Sequence, residues 1–466
     1  MSLRDLVLLC AFSVATSAYA DPLAATSGAA LAVPDAPASA AAAAAGRPLS
    51  LADVLDLAAR NSPSLHAARA DSQASDGALR QAGARPNPEL SLLQEGWGGS
   101  ERTTTALVNQ TIELGGKRSA RLEVASYGRQ AALASLDERA AVLCAEVTQA
   151  FYGVLAAQRQ SSVAAESARN AGRVADLVDK RVRAGKVSPV EATKARVAAL
   201  AAGIEIAQAR SRLAIAQERL ALVSASPRVR GAELSGDFEA LPELRPLADF
   251  IATMTDAPPL RVAKAQALLS NAQIALERAE RIPNITVGAG MKRVITGGVP
   301  DNQAVIGVSI PLPLFNTNQG ALLEAVHKAE KAEADLDSEN LRLRLALVEA
   351  YANCERSVQQ ARRLKQDVLP AARETLDAMS RGYALGKFSL LDVLDAQRTL
   401  FERQSQYVQA LTDAHFAYAE IGRLVGTPFA ANTDTDTDAD ADANADADAN
   451  ADADADADAG PGYASS

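Results

Sequence analysis

The chain has 466 residues, room for more than one structural unit. Its formal charge of −10 is concentrated in one place, because residues 434–458 hold 11 aspartates and no cation. The remainder carries +1, without the net basic face that a nucleic-acid partner requires, and its 4% aromatic content with abundant alanine suits long helices packed through small side chains.

Residues 1–20 read as an export signal: Arg4 is followed by an apolar run from Leu6 to Val14 and by Ala18-Tyr19-Ala20, a small-x-small cleavage site. The run is too short to span a bilayer as a helix. Cys10 lies inside it behind Leu8-Leu9, so cleavage after Ala20 is expected rather than lipid attachment. Residues 21–47 are rich in Ala and Pro and read as a flexible extension.

A first repeat is expected over 48–225. Ser50 is a plausible N-cap with Asp53 at the third helical position, and Leu51, Val54, Leu55 and Ala58 mark one helix face. Pro63 interrupts this helix, and Arg85-Pro86-Asn87-Pro88 ends it. A β-hairpin is expected over 88–113. Leu90 and Leu92 share one side of its first strand, and Ala106, Val108, Gln110 and Ile112 share one side of its second. Lys117 to Val223 reads as long helix, interrupted near Gly185 and Pro189.

A linker follows over 226–246, with one strand expected around 233–238, and the order then returns over 247–428. Helix runs to Arg281. A second hairpin over 284–313 has Ile285, Val287, Ala289 and Met291 on one face, joined by Ala304, Ile306, Val308 and Ile310. Helix then runs from Gln319 to about Gly386 and on to Gly426. Gly185-Lys186-Val187-Ser188 matches Gly386-Lys387-Phe388-Ser389 at a constant offset. Residues 429–466 read as a disordered acidic Asp-Ala tail.

After the signal no stretch reads as a transmembrane helix, since charges recur every few residues; a membrane crossing therefore requires a closed β-barrel. Strands of about ten residues are long enough to cross when tilted. Gly288, Gly290, Gly307 and Ser309 give the second hairpin a face suited to a polar lumen. Four strands cannot close a barrel, and an open edge in lipid leaves backbone groups unpaired, so several copies must pool their strands. Lys117 to Arg183 alone would reach about 100 Å at ~1.5 Å per residue. Narrow Ala/Leu/Val seams on such helices favour coiled-coil contact with neighbours on both sides.

The chain offers no catalytic constellation, no phosphate loop and no cofactor motif. His66, His327 and His415 are scattered over different helices without a second ligand at helical spacing, so no metal site is expected. Cys144 and Cys354 are expected as buried free thiols.

Over residues 48–428 the chain resembles the TolC-like outer-membrane efflux proteins. Asn109-Gln110-Thr111-Ile112-Glu113-Leu114-Gly115-Gly116-Lys117-Arg118 and Ile310-Pro311-Leu312-Pro313-Leu314-Phe315-Asn316-Thr317-Asn318-Gln319-Gly320 point to the cobalt-zinc-cadmium (CzcC-like) heavy-metal branch. The resemblance implies a mainly α protein with a small β part and two repeats. It further implies a homotrimer whose twelve strands form a pore through the outer membrane and whose helices form a periplasmic tunnel. A periplasmic adaptor and an inner-membrane proton-driven pump are the implied partners. Adaptor docking falls on Gly185, Lys186, Ser188, Gly386, Lys387 and Ser389, an entrance selectivity ring on Asp392 and Asp395, and entrance closure on Tyr383 and Glu191. Phe388 stands where some relatives carry a gating arginine. A channel for drugs or exported proteins is the alternative within this class; a periplasmic structural coiled coil is the alternative outside it.

Overall fold

The computed structural model describes residues 48–426 except Gly98 and Ser100. The expected export signal 1–20, the extension 21–47 and the acidic tail 429–466 lie outside the described residues.

The chain enters through α1 (Leu51–Asn61), held by the expected capping box: Ser50 Oγ accepts from Asp53 N, and Asp53 Oδ2 accepts from Ser50 N at 2.9 Å. Pro63 opens α2 (Pro63–Ala82) at its first position, where the missing N–H leaves no bond unmade. Strands β1 (Glu89–Glu95) and β2 (Glu101–Ile112) follow, then α3 (Lys117–Arg183) and α4 (Pro189–Val223). The second half runs through α5 (Leu247–Thr253), α6 (Pro258–Glu280), β3 (Ile285–Thr296), β4 (Val299–Ser309), α7 (Gln319–Arg363), α8 (Leu369–Ala384) and α9 (Leu390–Val425).

The four strands form one antiparallel sheet in the order β1-β2-β3-β4. Each hairpin lies within its repeat, and β2 pairs with β3 along its full length, from Glu101↔Thr296 to Ile112↔Ile285. This joint leaves β1 and β4 as the two edges. Gly297 and Gly298 make the β3–β4 turn with φ of +59° and +87°, the positive values that a two-residue hairpin turn matching the strand twist requires.

The helices pack pairwise: α3 lies against α2, α4, α6 and α9, α7 against α6 and α9, and α8 against α9. One core joins Val147, Phe151 and Val154 of α3 to Tyr407 and Leu411 of α9 and to Val54 of α1. A second joins Leu343, Leu347 and Cys354 of α7 to Ile421 and Leu424 of α9 and Phe250 of α5. Cys354 is buried and Cys144 partly so, and both are free.

Four sequence expectations need correction. Residues 233–238 form no strand; a single parallel bridge, Leu49↔Leu234, ties the linker to the start of α1. The helix before Arg281 is broken at Ala257, whose extended ψ of 137° follows from the two prolines behind it. The helix from Gln319 is not uniformly α: Leu364–Val368 form a π turn, with Leu369 N bonded to Leu364 O. Pro370 has no N–H, and its ring would strike the carbonyl four residues back in a straight helix, which the wider turn relieves. Finally, an 18-residue stretch within α3 reaches a mean hydropathy of 1.5, apolar enough by length and composition to cross a membrane; 44% of it is buried within this chain.

Candidate functional site

The two helical-hairpin turns share one construction. At the end of α3, Lys186 N bonds Arg181 O and Gly185 N bonds Val182 O; at the end of α8, Lys387 N bonds Gly382 O and Gly386 N bonds Tyr383 O. These are paired 6→1 and 5→2 closures, which place glycine at the left-handed position: φ is +69° at Gly185 and +78° at Gly386. Ser188 and Ser389 then cap α4 and α9. The side chains of Lys186, Ser188, Lys387 and Ser389 are exposed.

Behind the turns the repeats differ. Glu191, at the third position of α4, leaves its own cap and accepts a hydrogen bond from the Tyr383 hydroxyl at 3.1 Å. Asp392, at the matching position of α9, folds back instead: its Oδ2 accepts from Ser389 N at 2.9 Å and Ser389 Oγ at 2.8 Å. These bonds, the backbone one foremost, hold the Asp392 carboxyl below its usual range. Asp395 lies one turn on and is also exposed, while Val393 and Ala396 face the core. The structure thus brings Tyr383 and Glu191 together and sets Asp392 and Asp395 on one exposed helix face.

Arg181 completes this cluster, and sequence reading missed it. Its guanidinium lies over the Tyr383 ring, 4.5 Å from the centroid, and its Nη1 donates to the Tyr383 carbonyl. Its Nε is buried without a hydrogen-bond partner. Tyr383 is 2% exposed, and burial chiefly, with the bond to Glu191 second, pushes its hydroxyl pKa up. Phe388 lies over Gly382, where a Cβ would collide with its ring. The cation beside Tyr383 therefore comes from the first repeat. The available signal was the repeat alignment, which sets Arg181 against Gly382.

The sheet has two chemically distinct faces, fixed by register. One carries Leu90, Leu92, Ala106, Val108, Ala289, Met291, Ile306 and Val308 in neighbouring rows. The other carries Asn109, Gly288 and Gly307 in one row and Thr111, Thr286 and Ser309 in the next. Among the described residues no group of three or more His, Cys, Asp or Glu side chains is arranged to hold a metal ion.

The pattern that defines outer membrane efflux proteins matches residues 54–226 and 254–427, one match to each repeat. The chain belongs to the outer membrane efflux protein family. It is 39% identical over 381 residues to the cobalt-zinc-cadmium resistance protein CzcC of Cupriavidus metallidurans, covering 81% of this chain and 90% of that protein. It is 28% identical over 290 residues to the nickel and cobalt resistance protein CnrC of the same organism, covering 61% and 68%. Its fold is that of the outer-membrane channel OprN (TM-score 0.70, 17% identity, 81% of this chain and 90% of that one) and of CusC (0.68, 18%, 80% and 91%). The family's members are outer-membrane channels with a periplasmic helical tunnel, trimeric and working with adaptor and inner-membrane pump partners. In a barrel of the kind the family's members form, an apolar sheet face suits lipid and a face with Gly, Ser and Thr suits a water-filled pore.

Proposed function

We propose that this chain is the outer-membrane conduit of a tripartite, proton-driven efflux system that discharges heavy-metal cations, and that it catalyses no reaction of its own. The observation that carries the substrate class is the 39% identity to a cobalt-zinc-cadmium resistance protein over 90% of that protein's length. The geometry is consistent with passive conduction. Edges β1 and β4 need partners from sister chains, and pooling the sheets of three copies closes the barrel.

In this reading the exposed turns at Gly185-Lys186-Ser188 and Gly386-Lys387-Ser389 receive the adaptor. Asp392 and Asp395 ring the tunnel entrance, where carboxylates repeated by threefold symmetry attract cations and repel anions. The Tyr383–Glu191 bond, backed by Arg181, ties α8 to α4 and holds that entrance narrow.

Deletion of the gene with growth tested on zinc, cadmium, cobalt, nickel, copper and silver is the test. Loss of tolerance to one or more cations, restored by the intact gene, is the expected result. Unchanged tolerance to all six, with new sensitivity to organic compounds, would assign the channel to drug export instead.

A further inference from the structure

The strands carry seven charged side chains, and register sorts them between the two faces. Glu89, Glu95, Glu101, Asp301 and Lys292 lie on the pore side. Arg102 and Arg293 lie on the lipid side, in the two rows after the Leu92–Ala106–Met291 row: Thr104 pairs with Arg293, and Arg102 with Ile295. The two arginines are therefore diagonal neighbours on adjacent strands, about 7–8 Å apart and within joint reach of one small anion. Every strand carboxylate points the other way. Both arginines are exposed, and among the described residues neither has a hydrogen bond or ion pair.

Their height and their place in the sheet both matter. The strand path from Ile285 to Arg293 is about 27 Å, or roughly 20 Å of vertical height at the usual barrel tilt. The hairpin turns end the sheet opposite to the helices, so this is the outer-leaflet side of the apolar band. Arg102 and Arg293 sit on β2 and β3, the two central strands, whereas a sister chain would pair at β1 or β4. The partner that remains is the lipid itself. An unpaired guanidinium at the margin of hydrocarbon is unfavourable, while a phosphate there accepts its paired N–H groups. The same row adds Gln94 and Asn302, whose amides suit sugar and acyl-amide groups.

We propose that Arg102 and Arg293 form a binding site for the phosphate groups of the phosphorylated glycolipid of the outer leaflet, one site per copy. This rests on the barrel reading above. The test uses the full-length trimer in nanodiscs and measures retained lipid by native mass spectrometry. Three probes are compared: bis-phosphorylated lipid A, the same lipid with both phosphates removed, and lipid A in the presence of excess inorganic phosphate. The unaltered trimer should bind the phosphorylated lipid about tenfold more tightly than the dephosphorylated one. R102Q/R293Q should lose that preference and K292Q, on the pore side, should keep it. Inorganic phosphate should not displace the lipid.

Equal binding of the two lipids by the unaltered trimer would overturn the proposal without any variant, as would an undiminished preference in R102Q/R293Q. Displacement by inorganic phosphate would overturn the lipid as the source. Failure of the unaltered chain to fractionate with the outer membrane as a heat-modifiable trimer would instead overturn the barrel reading.

Discussion

Glu191 and Asp392 occupy the same third position of α4 and α9, yet the first accepts from Tyr383 on a different helix and the second from its own N-cap Ser389. Two copies of one turn have thus diverged into a cross-link and a cap. The difference separates the effects of substitutions at each.

Tyr383→Phe removes the bond to Glu191 while keeping the ring beneath Arg181. A loss of about 1 kcal/mol of hairpin stability is expected. Single-channel recordings in planar bilayers should show larger or more frequent openings, and Glu191→Gln should shift conductance the same way by a smaller amount. Identical conductance in all three proteins would remove this pair from the closure of the entrance.

Asp392→Asn and Asp395→Asn should both lower cation preference, read as a shift of reversal potential in a salt gradient. Only the first should also weaken the start of α9. Ser389→Ala, which removes the other half of the box, is expected to cost about 1 kcal/mol and to leave ion preference unchanged. Because the Asp392 carboxyl titrates below its ordinary value, its contribution is present above the unfolded pKa and disappears only as pH falls through the lower folded one. An unaltered reversal potential in the double variant would refute the ring.

His415 supplies a pH dependence of opposite origin. Its ring stacks on Tyr152 at 3.8 Å, its Nε2 bonds the Phe238 carbonyl at 3.1 Å, and burial lowers its pKa. The unfolded chain takes up this proton near the ordinary value of about 6.5, while the folded chain takes it up only at lower pH. Stability from this residue is therefore constant above that value and falls as pH drops toward the folded pKa. Thermal melting between about pH 7.5 and 5 should show it, and His415→Gln, which keeps an N–H but does not titrate, should flatten the slope.

Glu239 in the linker accepts from Lys365 at 2.9 Å, Arg159 at 3.1 Å and Tyr407 at 3.5 Å, so one carboxylate ties α3, the π turn and α9 together. The group is a third exposed, and each ion pair contributes under about 1 kcal/mol. Glu239→Ala should therefore leave the trimer folded but raise amide exchange across residues 230–246. Unchanged exchange would show that Leu49↔Leu234 holds the linker alone.

What was legible in the sequence was whatever is written in local spacing. Alternation at Ala106, Val108 and Ile112 gave the sheet's apolar face, and Ser50 with Asp53 gave a capped helix start. The repeated Gly-Lys-x-Ser gave both turns. Contacts between distant residues left no such trace. Glu239 meets partners 80, 126 and 168 positions away, and Arg181 meets Tyr383 across 202. The π turn was hidden for another reason: Pro370 reads as a break or a kink, and only the geometry of the preceding carbonyls decides that the helix widens and continues.

That widened turn makes the two hairpins geometrically unequal. The arm α3 is one uninterrupted rod of 67 residues, whereas the corresponding arm of the second repeat is two rods, α7 and α8, meeting at Leu364–Val368. A π turn holds more residues per revolution than an α turn, so it rotates the faces of everything beyond it. The faces of α8 are therefore turned in phase relative to those of α7, and Lys365 within that turn is tied to Glu239. Each copy thus carries one arm of constant helical phase and one whose contact face turns part-way along.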